Sequence, residues 1–297
     1  MKLGVLPLLH ESVITDARWI RDFGALCEEV GVESVWSVEH LLVAVDYEPR
    51  YSYSEDGRMP GAPGVVMPDP LEWLAFFAAC TSTVKLGTSV VVIPLHAPLV
   101  LAKRVATLDA LSGGRVIFGV GVGWQVEEYQ GVGVPYEERG ARADEGIEVY
   151  RALWADDPVS FTGPFTRIPP SSVLPKPAQG AAVPIVIGGS TTAAARRAGR
   201  LGDGFFPYVI SPEDYATRIE EIRATAVEHG RDPDAIELTV WQGSYKFGSA
   251  FDLDLAKQYA DLGVTRFVVS AQEGGGTSFD EMRRFLSDYR EQILDRL

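Results

Sequence analysis

The sequence is short of cysteine, of clustered basic residues and of long apolar stretches, and each shortage argues against a class of protein. Its two cysteines, Cys27 and Cys80, form no CxxC pair, which argues against a disulfide framework and a thiolate zinc site. The four histidines have no metal-ligand spacing, so no metal centre is expected; they are His10, His40, His96 and His229. No stretch approaches the ~18 uninterrupted apolar residues of a membrane helix, so no membrane partner is expected.

The net charge of −14 bears on the partners of the chain. Proteins that bind nucleic acids carry clustered lysine and arginine, and the sequence has no basic run, so nucleic acid is not an expected partner. Residues 1–5 resemble a strand and lack the long apolar core of a signal peptide. We therefore expect a cytoplasmic protein that acts on a small molecule.

The sequence does contain a regular alternation of apolar, strand-like runs with longer helical patterns. Eight such runs occur, at residues 3–7, 34–37, 85–93, 116–121, 185–188, 204–208, 237–241 and 266–270. Several are apolar at successive residues, which is typical of parallel strands buried on both faces. Eight strand-helix units in 297 residues predict an α/β fold, a single (β/α)8 TIM-barrel domain over residues 1–297. A doubly wound open sheet is the alternative.

Four helices begin with recognisable capping residues. Asp69 and Ser211 each precede a proline at the first helical position, and Ser278 with Glu281 forms a capping-box pattern before the last helix. Thr15 stands before the first helix. The helix that follows Asp69 contains the apolar run 73–77, which faces either the barrel wall or a partner subunit.

Two insertions interrupt the alternation. Residues 42–68 follow the second strand, at the end of a barrel where active sites lie, and are either functional or a mobile surface loop. Residues 156–183 lie between the fourth helix and the fifth strand, and contain a predicted hairpin of 159–161 with 165–168. Aromatic side chains of the first insertion and of the fourth strand end either line a pocket for an apolar or ring-bearing substrate or pack against the barrel: Tyr47, Tyr51, Tyr53 and Trp124.

The fifth strand runs into a glycine-rich turn, Gly188-Gly189-Ser190-Thr191, and then into a helix. Two glycines allow an anion to approach the backbone, and the helix start offers unpaired N–H groups and a positive dipole end. The turn is therefore a candidate phosphate cradle, with an ordinary capped helix start as the alternative. Three arginines follow on the helix, and either help to neutralise that phosphate or lie on the surface: Arg196, Arg197 and Arg200.

Two more features stand at predicted strand ends. The fourth strand ends in residues 119–124, GVGVGW, which is not a dinucleotide fingerprint because Trp124 occupies the place of the third glycine. Its spaced glycines either let a flat ring lie against the backbone or allow tight packing inside a narrow barrel. Glu39 and His40 follow the second strand directly, where a histidine acts as an acid or base or has a structural part.

Together these residues resemble the bacterial-luciferase-like flavin and deazaflavin oxidoreductase family over nearly the whole chain. The resemblance rests on segments whose order and spacing along one barrel form a specific set. They are residues 31–40 (GVESVWSVEH), 84–90 (VKLGTSV) with Pro94 and Pro98, 111–115 (LSGGR) leading to 121–124 (GVGW), and 184–190 (PIVIGGS) with 202–204 (GDG).

The resemblance implies a TIM barrel that binds FMN or the deazaflavin coenzyme F420 at its C-terminal mouth. It also implies a non-proline cis peptide at Ser89-Val90 against the cofactor ring, and His40 near the reacting ring carbon. The expected catalytic residues are accordingly His40 and Glu39. The expected cofactor-binding residues are Ser89, Val90, Gly121, Gly123, Trp124, Gly188, Gly189, Ser190 and Thr191.

The sequence is short for that family and lacks the large insertions of many FMN-dependent monooxygenases. Arginine far outnumbers lysine, as in the GC-rich actinobacteria that make F420. We therefore expect an oxidoreductase that moves a hydride between coenzyme F420 and a small organic substrate. The alternatives are an FMN-dependent two-component monooxygenase, which needs a flavin reductase as partner, and a non-catalytic flavin-binding barrel. Members of the family are often homodimers, so a homodimer is expected.

Overall fold

The computed structural model describes residues 1–8, 12–61 and 64–297, and eleven strands lie within them. His10 is outside these residues, as are residues 62 and 63 of the predicted insertion. The strands are β1 Lys2–Leu6, β2 Ser34–Ser37, β3 Lys85–Thr88, β4 Val91–Val92, β5 Val116–Gly121, β6 Val159–Thr162, β7 Arg167–Ser171, β8 Ile185–Gly188, β9 Gly204–Phe206, β10 Glu237–Val240 and β11 Arg266–Ser270.

Helices alternate with these strands along the described part of the chain. They are α1 Ala17–Glu29, α2 Pro70–Ala78, α3 Pro98–Ser112, α4 Val126–Val132, α5 Arg139–Trp154, α6 Thr192–Leu201, α7 Pro212–Glu228, α8 Gln242–Tyr245, α9 Leu253–Asp261 and α10 Phe279–Gln292. No described helix is long and apolar enough to cross a membrane.

The parallel strands close into a barrel, which confirms the predicted fold and rules out the open sheet. Their order is β3-β2-β1-β11-β10-β9-β8-β5-β4, and β3 also pairs with β5, which joins the two ends. In β1, Val5 lies between Val35 of β2 and Val269 of β11. The β6–β7 pair is antiparallel and stands apart from the barrel, as the predicted hairpin, with Phe161 opposite Ile168.

Successive residues of most barrel strands enter two different cores. Six side chains fill the barrel interior: Leu6, Trp36, Ile117, Val186, Phe206 and Val268. Their strand neighbours, such as Val35 and Phe118, belong instead to the larger core that also includes residues of the helices. This alternation explains why the strands are apolar at successive positions, because both faces are buried.

The N-terminal end of the barrel is closed by a buried ion network. The Arg266 side chain is 1% exposed, and its Nε and Nη2 donate to the Glu33 carboxylate at 2.9 and 3.1 Å. Its Nη1 donates to Glu237 at 2.6 Å and to the Thr239 hydroxyl at 3.2 Å. The guanidinium also lies 5.6 Å from the centroid of the Trp36 ring, so the network supports the floor of the interior core.

The capping predictions are largely confirmed. Asp69, Ser211 and Ser278 cap α2, α7 and α10, and Ser278 forms the full capping box with Glu281. The first helix is different, because its cap is Asp16 and not Thr15; the Asp16 carboxylate accepts from two backbone N–H groups of the first turn.

Two other expectations are settled by packing. The apolar run in α2 faces the barrel side, since Trp73, Leu74 and Phe77 are buried in the larger core. The single strand predicted at 85–93 is wrong, because the ladder breaks at Ser89 and Val90 and only residues 91 and 92 resume it as β4.

Candidate active site

The C-terminal ends of the parallel strands bring most of the predicted site residues to one mouth. His40 follows β2, Ser89-Val90 joins β3 to β4, Gly121 ends β5 and Gly188 ends β8. Because parallel strands of a barrel all end on the same side, residues far apart in sequence become neighbours there. The peptide bond between Ser89 and Val90 is cis, as the family resemblance implied.

Val90 forms a wall between two of the mouth glycines. A Cβ atom on Gly188 would lie 2.4 Å from Val90 Cγ1, and one on Gly121 would lie 2.5 Å from Val90 Cγ2. Gly123 has a φ of +62°, and a Cβ there would lie 2.7 Å from Val92. These glycines are therefore needed to make room for the two valines, and the Val90 side chain stands over the strand ends.

Buried polar atoms without described partners occur in two segments that follow barrel strands. The Ser89 hydroxyl is buried and has no hydrogen-bond partner among the described residues. The same holds for both side-chain amide atoms of Gln125, which is 1% exposed and precedes α4. Buried polar groups in native proteins are normally paired, so these atoms mark a place where a bound molecule can complete the hydrogen bonding. The sequence analysis missed Gln125, because nothing in its local pattern distinguishes it from a surface glutamine.

His40 is paired with a buried carboxylate that the sequence analysis also missed. The His40 Nδ1 lies 3.1 Å from Oε2 of Glu128, whose side chain is 1% exposed. The other oxygen, Oε1, accepts the backbone N–H of Leu41 at 2.7 Å. The His40 ring lies 5.8 Å from the Trp124 ring, and its Nε2 has no partner among the described residues.

Glu39, the second expected catalytic residue, is bonded by protein groups at both of its oxygens. Its Oε2 accepts the backbone N–H of Val92 at 2.6 Å, and its Oε1 lies 2.9 Å from Nε2 of His96. The residue is 5% exposed and is not bonded to His40. Both oxygens are engaged by protein groups, so Glu39 ties the end of β2 to the segment that begins at β4.

The candidate phosphate cradle has the backbone geometry that the sequence predicted. Gly189 has a φ of +102°, which favours glycine, and the Thr191 hydroxyl caps α6 by accepting from Ala194 N at 3.2 Å. The Ser190 hydroxyl donates to the backbone carbonyl of Tyr208. The Tyr53 hydroxyl lies 3.9 Å from where a Gly189 Cβ would be, at the edge of the cradle.

The arginines of α6 are engaged away from the cradle. Nε of Arg197 lies 2.5 Å from Asp144 Oδ1, and Nη2 of Arg200 lies 2.5 Å from Asp144 Oδ2. Both arginines therefore bind α6 to α5, and Arg196 is exposed. A different arginine reaches the start of α6, because Nη1 of Arg218 donates to the Thr192 hydroxyl.

The aromatic residues of the insertion pack on one another across the mouth. Tyr47 and Tyr51 lie with ring centroids 5.2 and 5.1 Å from that of Trp124. Tyr51 then contacts Tyr53 at 5.4 Å, and Tyr53 contacts Tyr208 at 5.0 Å. Burial raises the pKa of both Tyr51 and Tyr53 above the usual value, so both hydroxyls are neutral at physiological pH. The described part of the insertion thus forms an aromatic cover that extends from His40 to the cradle.

This geometry agrees with comparisons with known proteins. A family model described as luciferase-like monooxygenase matches residues 1–248. The chain belongs to the luciferase-like monooxygenase family. An uncharacterized protein from Mycobacterium tuberculosis is 31% identical over 270 residues, which cover 89% of this chain and 90% of that protein.

One further relative matches part of this chain, and two solved structures match nearly all of it. The F420-dependent glucose-6-phosphate dehydrogenase of Nocardia farcinica is 37% identical over 193 residues, covering 63% of this chain and 52% of that protein. The monooxygenase RslO1 from Streptomyces bottropensis has the same fold, with a TM-score of 0.74 and 24% sequence identity. The match covers 100% of this chain and 99% of that one. The coenzyme F420 dependent tetrahydromethanopterin reductase from Methanopyrus kandleri has a TM-score of 0.75 and 18% sequence identity, and the match covers 99% of each chain.

Proposed function

We propose that the chain transfers a hydride between coenzyme F420 and a small organic substrate. F420-dependent glucose-6-phosphate dehydrogenases of Kineococcus radiotolerans and Nocardia farcinica, 35% and 37% identical, support this choice of cofactor. The observation that carries the proposal is His40, which stands at the barrel mouth with one ring nitrogen held by protein and the other without a partner among the described residues.

The residues of the mouth fit a cofactor with a flat ring and a phosphate. Gly189, Ser190 and the start of α6 would hold the phosphate, since a helix N-terminus and an open glycine backbone suit an anion. The Ser89 hydroxyl, buried and without a described partner, would donate to a polar edge of the ring. Val90 would support the ring from below, because its side chain stands over the strand ends.

The coenzyme supplies the ring carbon that gains or gives the hydride when it is bound. The protein then has to move one proton, because oxidation of an alcohol to a carbonyl releases a hydride and a proton together. His40 accepts that proton at Nε2 in oxidation and returns it in reduction. The aromatic cover over the mouth, with Tyr47 and Tyr51 at its centre, excludes water from the reacting groups.

An FMN-dependent monooxygenase supplied by a separate flavin reductase is the second candidate. The description of the matching family favours it. Its phosphate grip would be the same, so the two candidates differ in the ring that binds and in the use of oxygen. This candidate requires oxygen consumption when the protein is mixed with reduced FMN.

Titration of the purified protein with each cofactor decides between the two. We expect F420 to bind at micromolar concentration by absorbance and fluorescence, and FMN to bind at least about tenfold more weakly. Micromolar FMN binding without a response to F420 would contradict the proposal.

Turnover is then measured with reduced and oxidised F420 and a panel of small alcohols, ketones and enones. His40→Gln should keep cofactor binding and lose about 10²- to 10⁴-fold in kcat, the usual contribution of general acid-base catalysis. His229→Gln is the matched control, because His229 is exposed on the far end of α7. Equal turnover of His40→Gln and the wild type would favour a non-catalytic barrel or another proton donor.

A further inference from the structure

The contact between His40 and Glu128 joins two segments that are distant in sequence. Glu128 lies on α4, and its carboxylate reaches back to the end of β2, where it meets both His40 Nδ1 at 3.1 Å and the backbone N–H of Leu41 at 2.7 Å. The Glu128 side chain is 1% exposed, whereas that of His40 is 14% exposed. The carboxylate is therefore buried behind the ring, and each of its oxygens accepts a hydrogen bond.

This geometry determines which nitrogen of the neutral ring carries the hydrogen. An ionised carboxylate only accepts hydrogen bonds, so Nδ1 must be the nitrogen that donates to Oε2. Nε2 is then left with a lone pair. The Leu41 bond fixes the carboxylate itself, since rotation of the Glu128 side chain would cost the bond to that backbone N–H.

We propose that Glu128 is the positioning residue of His40: it holds the ring in the Nδ1–H tautomer and so keeps Nε2 ready to take a proton. This inference rests on the proposed function, in which the substrate gives a hydride to F420 and a proton to Nε2, or receives both. Glu128 itself exchanges no proton with the substrate, because its oxygens are buried and already bonded.

Glu39, the other carboxylate at the end of β2, is engaged elsewhere. It is the sequence neighbour of His40 and bonds Val92 and His96. The His40 ring meets Glu128 of α4. It also faces the neutral indole of Trp124, which follows β5. Among these groups, Glu128 is therefore the one whose replacement should change the hydrogen position on His40.

Glu128→Gln is the informative change because it keeps the shape and alters the hydrogen bonding. A glutamine amide has one acceptor and one donor group, so it cannot accept from His40 Nδ1 and Leu41 N with separate oxygens. Glu128→Asp keeps both acceptors on a shorter side chain. Glu127→Gln is the matched control, since it removes the same charge from the neighbouring position of α4.

The hydrogen position is read from ¹⁵N shifts of the histidine rings at pH about 8, where an ordinary histidine is neutral. The chain has four histidines, and the His40→Gln variant identifies the signals of His40. We expect a protonated Nδ1 and an unprotonated Nε2 in the wild type and in Glu127→Gln, a mixture of tautomers in Glu128→Gln, and recovery in Glu128→Asp. A protonated Nε2 in the folded wild type, or unchanged tautomers in Glu128→Gln, would overturn the proposal.

Turnover gives the second readout. With the substrate found in the panel, kcat of Glu128→Gln should fall about 10- to 100-fold, the usual effect of losing a residue that orients an active group, while the Kd of F420 changes less than about twofold. An unchanged kcat would also overturn the proposal. The ¹⁵N measurement needs no cofactor, so a protein that binds FMN instead of F420 contradicts the proposed function and leaves the test of Glu128 intact.

Discussion

The ion network at the floor of the barrel allows a quantitative prediction about stability. Replacement of Arg266 by methionine keeps an unbranched apolar stem beneath Trp36, although a shorter one, and removes the guanidinium from between Glu33 and Glu237. Two largely buried carboxylates then lose their common donor. The variant is therefore expected to fold and to be less stable.

Two estimates of the loss agree. Burial alone would raise the pKa of Glu33, yet the hydrogen bond and charge of Arg266 bring it down from 4.5 to about 2. Since one pKa unit corresponds to ~1.4 kcal/mol, the ionised form of Glu33 contributes about 3 kcal/mol at neutral pH. Removing one partner of a buried ion pair costs ~3–5 kcal/mol, and the low end applies because Lys85 remains 3.3 Å from Glu33. We expect a loss of about 3 kcal/mol.

The same network predicts how that loss depends on pH. A carboxylate with a lowered pKa stabilises the fold above its unfolded pKa and loses that contribution as the pH falls through its folded pKa. For Glu33 this interval runs from 4.5 down to about 2. The difference between the wild type and Arg266→Met should therefore be largest near neutral pH and shrink as the pH falls from about 4.5 to about 2.

Thermal unfolding followed by circular dichroism measures both effects. A loss of about 3 kcal/mol lowers the Tm by about 6–12 °C in a chain of this size. Lys85→Met is the control, because a half-exposed pair contributes ~0–1 kcal/mol and should change the Tm little. Equal Tm values for Arg266→Met and the wild type, or a difference that stays constant down to pH 2, would refute the reasoning.

Two further predictions concern the mouth. Gly188→Ala places a Cβ 2.4 Å from Val90 and should weaken F420 binding about tenfold, whereas Gly140→Ala should not; equal affinities would show that Val90 does not support the ring. Tyr53→Phe removes the hydroxyl beside Gly189 and opens that side of the cradle, so inorganic phosphate and F420 should bind about threefold more tightly by calorimetry; weaker binding would mean that the hydroxyl itself donates to the anion.

Local sequence signals were sufficient for the barrel and for most of its helix starts. Continuous apolar runs and capping residues such as Ser278 depend on neighbours within a few positions, and the structure has them where the sequence predicts. The break at Ser89-Val90 within the run 85–93 is invisible to that reasoning, because an apolar run has the same pattern whether or not its ladder is continuous. Only the family resemblance indicated it.

Only those site residues that directly follow a strand could be predicted from the sequence. His40 and the turn at Gly188 were found because each directly follows a strand, and closure of the barrel then brought them to the same mouth. Glu128 and Gln125 could not be found in that way, since their importance comes from a pairing across 88 positions and from burial of an amide. Burial and long-range partners are properties of the folded chain.

Two buried carboxylates, Glu39 and Glu128, hold different parts of the mouth in place. Glu39 and Glu128 each accept one backbone N–H and meet one histidine, yet they hold different things in place. Glu39 fixes the backbone at Val92, beside the valine wall, whereas Glu128 fixes the ring of His40. Both carboxylates are buried and have their oxygens occupied, so neither is free to exchange a proton with a substrate. In the proposed reaction the proton step therefore falls to His40 Nε2, because Nδ1 already bonds Glu128.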